Sequence, residues 1–199
     1  MKKLLLATAA ALAVSPALAG NIVFVPEPDV AVIAPVEAWT GPYAGIQLGY
    51  GFGDLSSGQA AAPIDLEGML YGAHVGYNFD MGNVVLGAEL DYNLSDVTGS
   101  FDGEVNVPVL AHAKARIGFD AGNTLIYGVA GLAYAEMDMF DGSSEYTDSG
   151  FFGGLGIDHK ISANWTAGAE YLFHSFSDFG GSGLDLELQT IQARASLHF

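Results

Sequence analysis

The sequence predicts an all-β chain folded as an eight-stranded antiparallel up-and-down transmembrane β-barrel. Three observations predict it. Eight segments of alternating or small and apolar character recur along the chain, each near the roughly 9–11 residues a tilted strand needs to cross hydrocarbon. The links between them alternate short and long, the rhythm of successive hairpins. The last stretch, Leu186 to Phe199, alternates Ile191, Ala193, Ala195, Leu197 and Phe199 with Gln192, Arg194, Ser196 and His198, and it stops on an aromatic where a terminus ordinarily frays into water.

Taken from the amino terminus, the first residues set the compartment. Lys2 and Lys3 precede the apolar run Leu4 to Val14, broken only by Thr8, and Ala17-Leu18-Ala19 forms a small-x-small cleavage site before Gly20. The run is about a dozen residues long, short of the ~20 a membrane helix requires, so 1–19 reads as a secretory signal peptide. Residues 20–40 carry Pro26, Pro28 and Pro35 among acids and read as a Pro-rich periplasmic leader, because proline denies the backbone its donors. The barrel is assigned to 41–199. Cysteine is absent, so neither disulfides nor thiolate chemistry contribute.

The predicted strands span 42–52, 68–79, 84–95, 106–119, 125–136, 150–160, 165–176 and 186–199. Asp80-Met81-Gly82-Asn83, Asp120-Ala121-Gly122-Asn123 and Ile161-Ser162-Ala163-Asn164 are tight turns, and 53–67, 96–105, 137–149 and 177–185 are the long polar links. Phe79-Asp80-x-Gly82-Asn83 recurs as Phe119-Asp120-x-Gly122-Asn123, and Gly87-Ala88-Glu89 as Gly168-Ala169-Glu170, consistent with duplicated hairpins.

Applied to the third strand, the two-residue period turns Leu86, Ala88, Leu90 and Tyr92 one way and Gly87, Glu89, Asp91 and Asn93 the other. In the fourth, Val109, Ala111, Ala113, Ala115, Ile117 and Phe119 oppose His112, Lys114, Arg116 and Gly118. The seventh sets Trp165, Ala167, Ala169, Tyr171 and Phe173 against Thr166, Gly168, Glu170 and Leu172. The apolar face is the outer one, because aromatics gather at both strand ends. Tyr43, Phe79, Phe119, Trp165 and Phe199 fall beside the short turns, and Phe52, Tyr92, Tyr134, Phe151 and Phe173 toward the long links, as two membrane interfaces select.

Trp39-Thr40-Gly41-Pro42-Tyr43-Ala44-Gly45 with Gly49-Tyr50-Gly51, then Asn164-Trp165-Thr166-Ala167-Gly168-Ala169-Glu170-Tyr171-Leu172, then the terminal Phe199, together resemble the first, penultimate and last strands of the small opacity-type, OmpA-like outer-membrane proteins of proteobacteria. The resemblance covers 41–199. It implies a bacterial outer-membrane location with the long loops extracellular and both termini periplasmic, outer-membrane lipids and lipopolysaccharide as surroundings, and Phe199 as the signal read by the barrel-assembly machinery.

The charges bound the chemistry. Removing the signal takes the formal charge from −17 to −19 and leaves Lys114, Arg116, Lys160 and Arg194 as the basic residues, which argues against nucleic acid as a partner. Lys114, Arg116 and Arg194 share the inward parity with Glu89, Asp91, Asp158 and Glu170, and Lys160 shares that of Asp158. An eight-stranded lumen is just wide enough for side chains to fill, so these groups are expected to form a luminal ion-pair network. Two readings stay open: a closed plug, or a narrow charge-lined conduit.

Enzymatic activity is not expected. A lipid-cutting barrel needs His and Ser at i and i+2 on one face, whereas His174 is followed at that spacing by Phe176 while Ser177 has the opposite parity. His174 is expected at the rim, and His74, His112 and His198 as lone luminal hydrogen-bonding groups at different heights. No cofactor or metal site is expected, and the acidic outer loops lack the spacing of a calcium loop. The function expected is that of a non-enzymatic, envelope-structural outer-membrane barrel. The alternatives are a surface recognition or adhesion protein with an extracellular ligand, or a low-conductance porin-like channel.

Overall fold

The computed structural model describes residues 39–57, 63–99, 105–139, 144–177, 179–181 and 184–199. Eight strands follow in order: β1 (Gly41–Ser57), β2 (Ile64–Asp80), β3 (Val84–Gly99), β4 (Val105–Asp120), β5 (Thr124–Met139), β6 (Ser144–Lys160), β7 (Trp165–Phe176) and β8 (Leu184–His198). Each pairs antiparallel with the next, and β8 returns to β1 with Tyr43 opposite His198 and Ser57 opposite Leu184, closing the barrel. The fold class is the predicted one. The expected signal peptide and all of the leader but Trp39 and Thr40 lie outside the described residues.

The barrel is apolar outside and charged inside at mid-height. Glu89 and Asp91 are 2% and 6% exposed, while Leu90 between them is 60% exposed. Ile46, Val75, Ile117, Ile126, Leu155 and Ile191 are likewise outward and exposed, a surface stable only in hydrocarbon. Of the ten aromatics assigned to the two belts, nine are exposed as expected; Tyr43 is not. It lies on the luminal face of β1 with Gln47, because Ala44, Ile46 and Leu48 hold the lipid-facing parity.

At one end the hairpins close tightly. Asp80 and Asp120 each accept the backbone N–H two residues on, from Gly82 and Gly122, at 2.7 Å, and these glycines adopt φ of +100° and +79°. In the third turn the Ile161 N–H donates to the Trp165 carbonyl (2.9 Å) and the Ser162 hydroxyl accepts the Trp165 N–H (3.2 Å).

At the other end the strands run further than the sequence pattern predicts. The long links expected at 53–67, 96–105, 137–149 and 177–185 give up much of their length to β1, β2, β3, β5 and β6, and the last holds a 3-10 turn, Phe179–Gly181. The physical reason is an inversion of the faces. Here Leu55, Leu66, Val97, Val105, Val107, Leu186 and Leu188 point inward and are buried, while Asp54, Asp65, Glu67, Asp96, Asp185 and Glu187 point outward and are exposed. Apolar-in and acidic-out is the pattern of a barrel in water, so the ribbons pair past the bilayer around a core of their own.

Val109 corrects a third expectation. The register slips between Asn106 and Val109 against β5, at Pro108, which has no N–H to give the ladder. Val107 and Leu110 consequently both face inward, and Val109 at the bulge is buried instead of lipid-facing.

Candidate functional site

The luminal charges occupy one level because antiparallel register brings their strands together. Glu89 on β3 pairs directly with Lys114 on β4, Gly168 on β7 lies opposite Asp158 on β6 and Arg194 on β8, and Glu170 on β7 pairs with Gln192 on β8. Gly168 leaves space at that crossing, since a Cβ there would overlap the Asp158 carboxylate.

All seven side chains expected in the network meet in the lumen and are buried. Lys114 Nζ lies 2.8 Å from Asp91 Oδ2 and 3.2 Å from Glu89 Oε1, and it also donates to Glu170 Oε1. Arg116 Nη2 donates to Asp158 Oδ2 at 2.5 Å, and its Nη1 lies 3.3 Å from Glu89 Oε2. Arg194 closes the circuit, with Nη1 donating to Glu170 Oε2 at 2.7 Å and Nη2 to Glu89 Oε2. Isolated ions here would each cost several kcal/mol of desolvation; mutual pairing offsets it. Lys160 Nζ lies 4.7 Å from the centroid of the Trp39 ring.

Two tyrosines that the sequence reading does not assign to the lumen, Tyr43 being placed in a lipid-facing belt, complete the cluster. Tyr43 donates to Glu89 Oε2 (2.8 Å) and accepts from Arg116 Nη1 (2.6 Å), and Tyr127 donates to Glu170 Oε2 (3.0 Å). The Arg116 guanidinium carbon sits 3.7 Å from the Tyr127 ring centroid. The available signal was a glycine directly across the strand pair from each: Gly76 opposite Tyr43 and Gly156 opposite Tyr127.

Polar and apolar layers cover the cluster on both sides. Toward the short turns, the buried Trp39 donates from Nε1 to Asp120 Oδ1 and to the Gly122 carbonyl, both 3.2 Å, and from its backbone N–H to Asp80 Oδ2 at 3.1 Å. Trp39 therefore belongs to the barrel, not to the leader in which the sequence reading placed it. His198 stacks on Tyr43 and meets Trp39 edge-on. Toward the ribbons lie Leu70, Leu110, Leu172, Phe176 and Phe179, all buried.

His112 and His174 differ from the expectation, whereas His74 is a lone luminal hydrogen-bonding group as expected. His174 is buried in the lumen, not at the rim, and its Nε2 lies 2.8 Å from His112 Nε2. The alternation in β7 turns it inward with Glu170 and Leu172, while Ser175 and Ser177 are exposed. His74 bridges Gln47 Oε1 and Ser196 Oγ, and His159 on the outer face meets Thr124 Oγ1. Among the described residues no group of three His, Asp or Glu side chains is placed to hold a metal ion.

Comparison with known proteins agrees with this architecture. Residues 4–199 match the family model described as outer membrane protein beta-barrel domain. The chain is 32% identical to the 31 kDa outer-membrane immunogenic protein of Brucella melitensis biotype 1, over all of this chain and 96% of that protein. It is 33% identical to the 22 kDa outer membrane protein of Rhizobium leguminosarum bv. viciae, over 79% of this chain and 72% of the relative. Among solved structures, Neisserial surface protein A matches with a TM-score of 0.55 at 15% identity, covering 80% of this chain and 99% of that one. Ail, the attachment invasion locus protein of Yersinia pestis, matches at 0.50 and 15% with the same coverage. With a closed eight-stranded barrel, a lipid-facing apolar band and a family match over nearly its whole length, the chain belongs to the outer membrane protein β-barrel domain family and is a protein of the bacterial outer membrane.

Proposed function

We propose that the protein is a non-enzymatic structural component of the outer membrane, an inert barrel whose lumen is closed by its own side chains. The observation that carries this reading is the seven-membered ion-pair cluster at mid-lumen, covered by Trp39 on one side and by the apolar core of the ribbons on the other. A solute path would have to break paired charges and then cross a layer of Leu and Phe. Refolded protein in planar bilayers is expected to be electrically silent, both as the wild type and as Arg194→Ala. Unitary conductance steps that change with luminal substitutions would replace this reading with that of a low-conductance channel.

In the same proposal the ribbons face the cell exterior and both termini the periplasm. The acidic outer faces of the ribbons support that orientation, as does the exposed, acid-free band below them that would meet lipid. Protease shaving of intact cells tests it: cleavage within the ribbons is expected, and cleavage confined to broken cells would reverse the orientation. A second reading, surface recognition through the loops, draws on the ribbon height and on relatives named immunogenic. Loop deletions that keep the envelope intact but abolish binding to a host or neighbouring cell would favour it.

A further inference from the structure

The seven-membered cluster is one charge out of balance: four carboxylates face three cations. The missing charge lies one layer toward the ribbons, where Asp91, His112 and His174 lie in a row. His112 Nδ1 lies 2.7 Å from Asp91 Oδ1, His112 Nε2 lies 2.8 Å from His174 Nε2, and His174 Nδ1 lies 2.9 Å from the carbonyl oxygen of Leu188.

Both ends of this row are fixed. The Leu188 carbonyl only accepts, so His174 carries its proton on Nδ1, and a neutral His174 presents a lone pair at Nε2. The proton between the two Nε2 atoms is assigned to His112, whose ring adjoins the Asp91 carboxylate, while His174 meets only the neutral Leu188 carbonyl. At the other end Asp91 is ringed by donors: Oδ1 accepts from the Asn93 amide at 2.7 Å and Oδ2 faces Lys114 Nζ at 2.8 Å. The Asn93 amide cannot be turned round, because the same nitrogen donates to the Leu110 carbonyl (3.2 Å) while its oxygen accepts from Gln47 Nε2 (2.6 Å). A proton shared with His112 would sit on Oδ1, but Lys114 and the Asn93 amide both face the Asp91 carboxylate and favour its charged form, so the proton rests on the imidazole and His112 donates from Nδ1 as well. An imidazole that donates from both nitrogens is an imidazolium.

We propose that Asp91, His112 and His174 form a proton-binding site in which His112 holds a resident second proton and acts as the fourth cation of the plug. This deepens the closed-lumen reading and rests on it: with His112 charged, four carboxylates face four cations and the buried cluster is neutral. The groups packed against the ring are consistent with that charge. Asp91 from β3 and His174 from β7 touch it, and β6 contributes only the Phe152 ring, at 4.9 Å between centroids. Its cross-strand partner on β5 is Ala133, β8 offers the Leu188 carbonyl through His174, and Lys114 on its own strand is held by Glu89 and Glu170 as well as by Asp91. On β1 and β2, Gln47 and His74 connect to Asp91 through Asn93 without adding a charge at the ring.

The test is a direct proton count by ¹⁵N-histidine NMR on the refolded full barrel in detergent at about pH 8, above the ordinary imidazole value of about 6.5. His112 is expected to show a directly bonded proton on each ring nitrogen and His174 on Nδ1 alone, with a scalar coupling across the Nε2–H···Nε2 bond. A singly protonated His112 in the wild type overturns the proposal. In Asp91→Asn, His112 is expected to lose one of its two protons, and an unchanged count would overturn the role given to Asp91. The wild-type measurement stands even where the variant does not refold. A conducting barrel with a doubly protonated His112 would refute the closed lumen and leave this site intact, whereas a silent barrel with a neutral His112 would refute this site alone.

Discussion

The ring of Tyr127 lies in the space that a side chain at position 156 would fill: Gly156 is its direct partner across β5 and β6, and a Cβ built there would overlap the ring. The absence of that one carbon lets the tyrosine lie along the barrel wall, under Arg116, with its hydroxyl on Glu170. Tyr43 and Gly76 repeat the arrangement on β1 and β2, with the hydroxyl on Glu89. Gly156→Ala is therefore expected to displace the Tyr127 ring and destabilise the barrel by about 1–3 kcal/mol, as overpacking of a filled interior does. Urea titration of the refolded protein measures it. Adding Tyr127→Ala should remove most of the further cost of the alanine at 156, and strictly additive losses would sink the overlap argument.

Glu89 is the most heavily used acid in the lumen, taking Lys114 on one oxygen and Arg116, Arg194 and Tyr43 on the other. Glu89→Gln leaves cations without their counter-charge in a buried site, a loss of about 3–5 kcal/mol. The double variant Glu89→Gln/Arg194→Met, which removes one charge of each sign, should lose less than the sum of the two singles. A double-mutant cycle with no coupling would mean that the cluster is wetted and screened rather than dry.

The two-residue period suffices to put Glu89, Asp91, Lys114, Arg116, Asp158, Glu170 and Arg194 on one side of the wall, because each strand in the bilayer alternates strictly. Two things are not written in that period. Depth is one: His174 sits next to a long link in the sequence, yet it reaches the level of His112 because β6 and β7 pair on to Phe151 and Ser175. The sense of the faces is another, since it inverts where the ribbons leave the membrane, and a pattern tuned to apolar-out strands ends there. Tyr43 is a different case: the period itself turns it into the lumen, and only its type, an aromatic near a strand end, suits a headgroup belt. Trp39 is harder still, because its partners Asp80 and Asp120 are supplied by turns distant in the chain.

Leu90 and Thr98 lie on the outer face of the same strand, Leu90 opposite Ala113 at the level of the ion cluster and Thr98 on the ribbon above. If the band around Leu90 is immersed, Leu90→Arg should cost about 2–4 kcal/mol in a bilayer, the penalty for a cation near the midplane, while Thr98→Arg should stay within about 0.5 kcal/mol. Unfolding in lipid vesicles compares them. Equal costs at the two positions would contradict the depth assigned to the strand.

Phe199 lies exposed on the closing seam. The residue is 74% exposed, and its N–H donates to the Pro42 carbonyl at 3.1 Å. Closure itself is carried by the ladder above it, from Tyr43 opposite His198 to Ser57 opposite Leu184, so the finished barrel depends little on the last residue. Deleting Phe199 should change the urea midpoint by no more than one hydrogen bond's worth, about 0.5–1.5 kcal/mol. If Phe199 is the assembly signal that the family resemblance implies, it acts earlier, while β1 and β8 are still apart. The deletion should therefore slow insertion in cells, read as delayed appearance of the heat-modifiable form in pulse-chase gels, far more than it weakens the product. Unchanged insertion kinetics, or a midpoint that collapses with the deletion, would return Phe199 to an ordinary member of the lipid-facing belt.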